Sequence, residues 1–213
     1  VTTVSVVLGS ASPARLRVLR AAGLDPRVIV SDVDEDAVLD ALPDAPPEQV
    51  VVRLAGAKSD AVVAAILAGD DHAGDTVVLT CDSMLLFDGA LSGKPHTVDV
   101  ARDRWRRMRG RSAELLTGHW VSRIEGSRVV GTANASAATT IHFADIDDAT
   151  IDAYAATGEP LAVAGAFTLD GLGGWFVEAI DGDPSSVIGI GLPTVRRLLA
   201  DVGVDVTTLW HLP

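Results

Sequence analysis

The chain has one cysteine, Cys81, and only two lysines, Lys58 and Lys94, among its 17 basic residues. A lone cysteine cannot form an internal disulfide, so nothing points to an oxidising compartment, and a cytoplasmic location is the expectation. Basic charge is scarce overall: 17 Lys+Arg against 29 Asp+Glu leave a formal charge of −12. Nucleic acid and anionic membrane surfaces need a net positive face, so neither is an expected partner. The longest apolar stretch after the opening strand, Ala61 to Ala68, is far below the ~20 residues of a membrane helix. The opening segment has no basic n-region ahead of its short apolar run and reads as a buried strand, not as a signal peptide. There is no internal repeat, no low-complexity tract and no Pro/Ser-rich linker. The five histidines, His72, His96, His119, His142 and His211, show no metal-binding spacing, and no Walker lysine motif occurs.

What is present is an ordinary globular composition, 48 % hydrophobic and 22 % charged over 213 residues. A compact chain of this size buries roughly 70 % of its unfolded surface, so its core needs no staples. Val4 to Leu8 reads as a strand, GSAS as a loop, and Pro13 as the first residue of a helix carrying Leu16, Leu19 and Arg20. Val28 to Val30 suggests a second strand ending in the acidic loop SDVDED. Pro47 to Ala68, free of internal proline and closed by Gly69, reads as a long helix. Thr76 to Thr80 reads as a buried strand running into Cys81, Asp82 and Ser83. Met84 to Phe87 and Ala90-Leu91 form a hairpin on Asp88-Gly89. Thr97 caps a helix to about Met108, ended by Gly110. Ser112 to His142 is strand-like with a hairpin at Glu125-Gly126. Asp147 or Asp148 caps a helix through Ala156, stopped by Gly158. Gly173 to Ile180 reads as a strand, and Pro193 opens a last helix ending near Val202. The class is α/β with antiparallel content.

Several groups could carry chemistry. In GSASPAR, Gly9 to Arg15, backbone N–H groups, two hydroxyls and a guanidinium at a helix start could cradle an anion, or simply cap the helix. Lys58 is the one basic head on a helical face with Val51, Leu54, Ala55, Val62 and Ala65, so it must snorkel or meet a charge. A lysine kept where the chain otherwise uses arginine suits a place that takes a compact ammonium but not a planar fork. Asp82, at the end of a buried strand, could hold a divalent metal, take a proton from water, or cap the turn. The acidic run Asp32, Asp34, Glu35 and Asp36 could join Asp82 on Mg²⁺ or Mn²⁺, or be a solvated loop. Cys81 reads as a half-buried structural thiol. Six arginines between Arg102 and Arg111, interrupted by Asp103, read as a solvated helix face.

In their order, the segments LGSASPARLRVLRAAGL, VDED, VVVRLAGAKSDAV, TVVLTCDSMLLFDGALSGKP, GRSAELLTGHWV, YAATGEP, AGAFTLDGLGGWFVEAIDGD and SSVIGIGLPTVRRLL resemble the Maf family of nucleotide pyrophosphatases over almost the whole chain. The resemblance implies a single Maf/inosine triphosphatase-like domain over residues 1–213: an elongated mixed β-sheet flanked by helices, two lobes and a central cleft. It implies hydrolysis of a nucleoside triphosphate between its α and β phosphorus atoms, with Mg²⁺ or Mn²⁺, giving the monophosphate and pyrophosphate. Pyrimidine nucleotides such as dTTP and UTP are the expected substrates. A modified purine such as 7-methyl-GTP, and a non-enzymatic role in septum formation or cell division, are the alternatives. The family's Ser-x-Ser-Pro loop falls on Ser10 and Ser12, and its second following arginine on Arg15. Its acidic residue falls on Glu35, its helix lysine on Lys58, its aspartate on Asp82 and its Gly-Lys-Pro lysine on Lys94. The resemblance thus implies Asp82, Glu35, Lys58 and Lys94 as catalytic, and Ser10, Ser12, Arg15, Lys58 and Lys94 as substrate-binding. Asp82 and Glu35 are its metal ligands. Ala14 replaces the first arginine, and Val163, Phe167 and Asp170 stand where many relatives have lysine, tyrosine and glutamine. These differences bear on base selection and one phosphate contact. The partner implied is a small nucleotide, and a homodimer is left open.

Overall fold

A computed structural model of the chain describes residues 4–69 and 74–211. Strands β1 (Val4–Leu8), β2 (Arg27–Val28), β3 (Asp75–Phe87), β4 (Ala90–Ser92), β5 (Ser112–Glu125), β6 (Arg128–Phe143) and β7 (Val177–Asp181) form one mixed sheet in the order β2-β1-β3-β5-β6-β7, with β4 paired to β3. β1 runs parallel to β2 and β3, whereas β3–β4 and β6–β7 are antiparallel. The helices are α1 (Pro13–Ala21), α2 (Glu35–Asp40), α3 (Pro47–Ala68), α4 (Val98–Met108), α5 (Asp148–Ala156), α6 (Pro184–Ile188) and α7 (Leu192–Asp201). The α/β class and the mixed sheet with flanking helices are as expected.

The chain divides into two compact units, the first made of Val1–Asp82, Thr117–Ala137 and Gly189–Pro213. Here β1 and the first half of β3 carry buried apolar residues on both faces, as parallel strands covered on both sides do. Val6, Leu8, Val77, Leu79 and Cys81 pack with Leu19 of α1 and Leu198 and Leu199 of α7. Residues of opposite parity, Val7 and Val78, pack instead with Val62, Val63 and Ile66 of α3. The even-numbered residues of β3 therefore face α3, and Thr80 donates to the Ala55 carbonyl at 2.7 Å. Two glycines let these layers close. A Cβ at Gly9 would lie 2.5 Å from Thr80 Cγ2, and one at Gly118 would overlap the Val51 carbonyl of α3.

The second unit comprises Ser83–Leu116 and Ala138–Ile188. Its centre is Trp105, reached by the i, i+4, i+7 stripe Ala101, Trp105 and Met108 of α4. Trp105 meets Phe143, Tyr154 and Phe176 edge-on, and its Nε1 donates to the Ala166 carbonyl at 2.7 Å.

Several local expectations need correction. The second strand is Arg27–Val28, not 28–30, and the acidic segment is not all loop: Asp34 caps α2 by accepting from Ala37 N at 3.0 Å. β3 does not end near Thr80, because no turn residue interrupts it before Asp88-Gly89. Asp82 therefore lies inside a thirteen-residue strand. Both Asp88 and Gly89 have positive φ, 51° and 77°, which is the twist a two-residue hairpin turn requires. Residues Leu172–Phe176 form a 3₁₀ turn, and only Val177–Asp181 is strand. Ala65 is exposed, so it does not share the buried face of α3 with Lys58, and Cys81 is fully buried, not half-buried.

The arginine cluster is not a bare solvated face. Arg102, Arg106 and Arg109 pair with Asp148 or Asp152 of α5, Arg107 and Arg111 with Asp88, and Arg104 donates to the Gly93 carbonyl.

Candidate active site

In the first unit the long α3 carries Lys58 on the face turned to β3. Because lysine side chains on a helix lean toward its N-terminus, the ammonium reaches back past Ala55 to the even-parity position Asp82. Lys58 Nζ donates directly to Asp82 Oδ1. It also meets Glu35 Oε1 at 2.8 Å, Glu35 being the first residue of α2. The Lys58 and Asp82 side chains are 9 % and 10 % exposed, whereas Glu35 is 47 % exposed. The result is a chain of acid, ammonium and acid that starts in the core and ends at solvent. Burial without such partners would be prohibitive for either charge.

The second group is the loop between β1 and α1. Ser12 caps α1, its Oγ accepting from Arg15 N at 3.5 Å, and Ser10 Oγ accepts from Ser12 N at 3.2 Å. Arg15 folds back over the loop: Nη1 donates to Ser10 Oγ at 3.0 Å and Nε to the Gly189 carbonyl at 3.2 Å. Cys81 Sγ donates to that same carbonyl at 3.5 Å, which ties the loop to the residue beside Asp82. Burial pushes the Cys81 thiol above its ordinary range, with Arg15 opposing the shift, so this sulfur is a packed neutral thiol and not a nucleophile.

Of the sequence-predicted residues, Ser10, Ser12 and Arg15 form one hydrogen-bonded cluster and Glu35, Lys58 and Asp82 another, both in the first unit. Lys94 belongs to the second unit, where it is exposed after β4. Asp32, Asp34 and Asp36 do not join the Lys58 group: Asp34 is used as the cap of α2. His72 lies outside the described residues. Sequence reasoning missed Thr80 and Gly189, which support these groups. No local signal marks either, because their partners Ala55 and Arg15 lie 25 and 174 residues away along the chain. A pocket of about 430 Å³ opens between α2, α3 and Trp120, but Arg53, Gly56, Ala57 and Asp60 line it from the side of α3 away from Lys58.

The donor set suits a hard cation in part. Carboxylate oxygens are the ligands Mg²⁺ and Mn²⁺ take, yet among the described residues no group of three or more His, Cys, Asp or Glu side chains could hold a metal ion. Two carboxylates suffice only where the substrate's phosphates supply further ligands, which is the common arrangement for Mg²⁺.

The first unit thus carries a buried acid–lysine–acid chain and a hydroxyl- and guanidinium-bearing loop, side chains able to meet an anion or a cation. The chain belongs to the Maf-like protein family, whose sequence model matches residues 5–202. A relative from Nocardia farcinica is 64 % identical over 212 residues, covering 99 % of each chain. One from Rhodococcus opacus is 65 % identical over 207 residues, 97 % of this chain and 96 % of its own. One from Corynebacterium diphtheriae is 52 % identical over 207 residues, 97 % and 98 % of the two chains. All three are named nucleoside triphosphate pyrophosphatase. Among the described residues no helix is long and apolar enough to cross a membrane.

Proposed function

We propose that this chain is a nucleoside triphosphate pyrophosphatase that works with Mg²⁺ or Mn²⁺ and prefers pyrimidine nucleotides such as dTTP and UTP. The observation that carries the reading is the buried Lys58 held between Glu35 and Asp82. Asp82 is a carboxylate aimed by a fixed ammonium, and its role is to orient the attacking water and accept its proton. Lys58 neutralises charge gathering on the phosphate oxygens and on departing pyrophosphate, while Arg15, Ser10 and Ser12 bind the phosphate chain. The family resemblance adds Lys94 as a further phosphate-binding cation. A divalent ion held by Asp82 and Glu35 would supply Lewis-acid polarisation of the phosphoryl oxygens. Positioning and electrostatics suffice for such chemistry, and no serine or cysteine nucleophile is needed.

Asp170 favours a second reading. It is an exposed carboxylate on the loop after Thr168, and a carboxylate suits a cationic base such as 7-methylguanine better than a neutral pyrimidine. A non-enzymatic division regulator acting through the arginine cluster has less to offer a partner, because carboxylates of the same unit already hold five of the six arginines.

The test is pyrophosphate release from dTTP, UTP, CTP, ATP, GTP and 7-methyl-GTP with Mg²⁺ or Mn²⁺, for the wild type and Asp82→Asn. The expected result is the highest kcat/KM with dTTP or UTP, lowered by about two orders of magnitude or more in Asp82→Asn. The highest kcat/KM with 7-methyl-GTP would move the reading to the modified purine. Release from no triphosphate, or an unaffected Asp82→Asn enzyme, would overturn the activity itself.

A further inference from the structure

We propose that His119 is a positioning residue for the phosphate-binding loop, acting on Arg15 through the turn Gly189–Gly191. The proposal rests on the reading above, in which Arg15 and Ser10 receive phosphate. His119 lies in β5, is fully buried, and touches neither the loop nor the Lys58 group by any bond described above. Its Nε2 accepts a hydrogen bond from Gly191 N at 2.9 Å. A ring nitrogen that accepts must present a lone pair, so it is as an acceptor that His119 Nε2 holds the Gly191 N–H.

Gly191 is itself buried and is the residue from which α7 starts. Ile190, between the two glycines, is wholly inside the core with Leu19 of α1 and Leu198 of α7. The turn is therefore held at one end by His119 and in the middle by packing. At its other end the Gly189 carbonyl accepts from Arg15 Nε at 3.2 Å and from Cys81 Sγ at 3.5 Å. The backbones also touch, since a Cβ on Gly189 would lie 3.0 Å from Arg15 N and 3.1 Å from Arg15 Cα. The turn thus sets where the guanidinium stands. With Nε on Gly189 and Nη1 on Ser10, Arg15 keeps Nη2 outside both bonds, ready for a phosphate oxygen.

If the acceptor at residue 119 is lost, the buried Gly191 N–H has nothing to donate to, and the turn must shift to find water. The Gly189 carbonyl moves with it, and Arg15 is released from one of its two constraints. Binding of the triphosphate should weaken, while the chemistry at Asp82 is left alone.

Three variants test this. His119→Met keeps much of the volume and removes the acceptor; His119→Gln restores a side-chain carbonyl; Arg15→Ala supplies the background in which the effect should vanish. In steady-state pyrophosphate release from dTTP and UTP, His119→Met is expected to raise KM about tenfold with kcat within about threefold. His119→Gln should return KM to within about threefold of wild type, and in the Arg15→Ala background His119→Met should change KM less than about twofold. Equal KM values for the Met and Gln variants, or an undiminished effect in the Arg15→Ala background, overturn the proposal. Should His119→Met not fold, NMR of isotope-labelled histidine in the wild-type protein decides: inorganic pyrophosphate should move the His119 Nε2 signal, and a signal that stays in place at saturation overturns the proposal. Absence of pyrophosphate release by the wild type would instead remove the activity on which the proposal rests.

Discussion

Lys58 of α3 and Asp82 of β3 are bonded to each other inside the first unit, with about nine-tenths of each side chain withdrawn from water. Removing Lys58 strands the Asp82 charge where solvent cannot reach it, which typically costs about 3–5 kcal/mol; removing Asp82 costs less because Glu35 still meets the ammonium, and removing both leaves a smaller defect than the two losses together. Lys58→Met and Asp82→Asn should each lower stability, and the Lys58→Met/Asp82→Asn double variant should lose clearly less than the sum. Urea unfolding of the four proteins measures this, and additive losses would show that the two charges are solvated independently.

Gly118 tests a different kind of fit. It lies in β5 where α3 crosses, and any side chain would drive into the Val51 backbone, which cannot rotate away as a flexible side chain would. Gly118→Ala should cost about 3 kcal/mol, toward the upper end for overpacked sites. Gly131→Ala, whose Cβ would make ordinary contact with Val202 at 3.5 Å, should cost under about 1 kcal/mol. Equal shifts in the urea midpoint for the two variants would mean that α3 does not press on β5 in this way.

In the second unit, Glu159 gathers a loop around itself. Its carboxylate accepts from Thr168 Oγ1 at 2.5 Å, Tyr154 OH at 3.1 Å, and Leu172 N and Gly173 N at 3.0 Å each. Burial alone would raise the Glu159 pKa, but these donors outweigh it and hold the group below the ordinary glutamate range. A pKa depressed in the folded state contributes stability that is present above the unfolded value, about 4.3, and is lost as pH falls through the folded value. The stability gap between wild type and Glu159→Gln should therefore be constant above about pH 5.5 and narrow in more acidic buffer. Chemical denaturation at stepped pH checks the sign, and a gap that widens on acidification would contradict it.

How much of this could be read beforehand depends on whether the cause was local. The long α3 was legible because Pro47 opens it, Gly69 closes it and nothing between breaks it. The cap Thr97, and Asp147 as one of two candidates, were legible because a short polar side chain before a helical run has one common use. Lys58 stood out because it is one of two lysines in the chain. By contrast, α2 hid among acidic residues that also suit a loop. The continuation of β3 through Cys81-Asp82-Ser83 hid because its polar residues are matched by partners from α3 and not by neighbours in sequence. His119, Gly118 and Gly189 were invisible for the same reason: each is explained by an element far along the chain that comes to rest against it.

The charge balance of the Lys58 group leads to a last expectation, about metal removal. Glu35 and Asp82 both meet the Lys58 ammonium, so the two carboxylates do not repel each other unopposed. A site built only from clustered acids would lose stability on chelation, because like charges a few ångströms apart destabilise the fold. Here the divalent ion is expected to be needed for turnover and not for folding. EDTA should abolish pyrophosphate release, Mg²⁺ or Mn²⁺ should restore it, and the melting temperature without nucleotide should change by less than about 2 °C, under about 1 kcal/mol for a chain of this size. Adding metal and a non-hydrolysable triphosphate together should raise the melting temperature by more than the two separately, since the phosphates complete the ligand set that two carboxylates leave short. A large loss of melting temperature on chelation alone would mean that a cation, and not Lys58, holds Glu35 and Asp82 together.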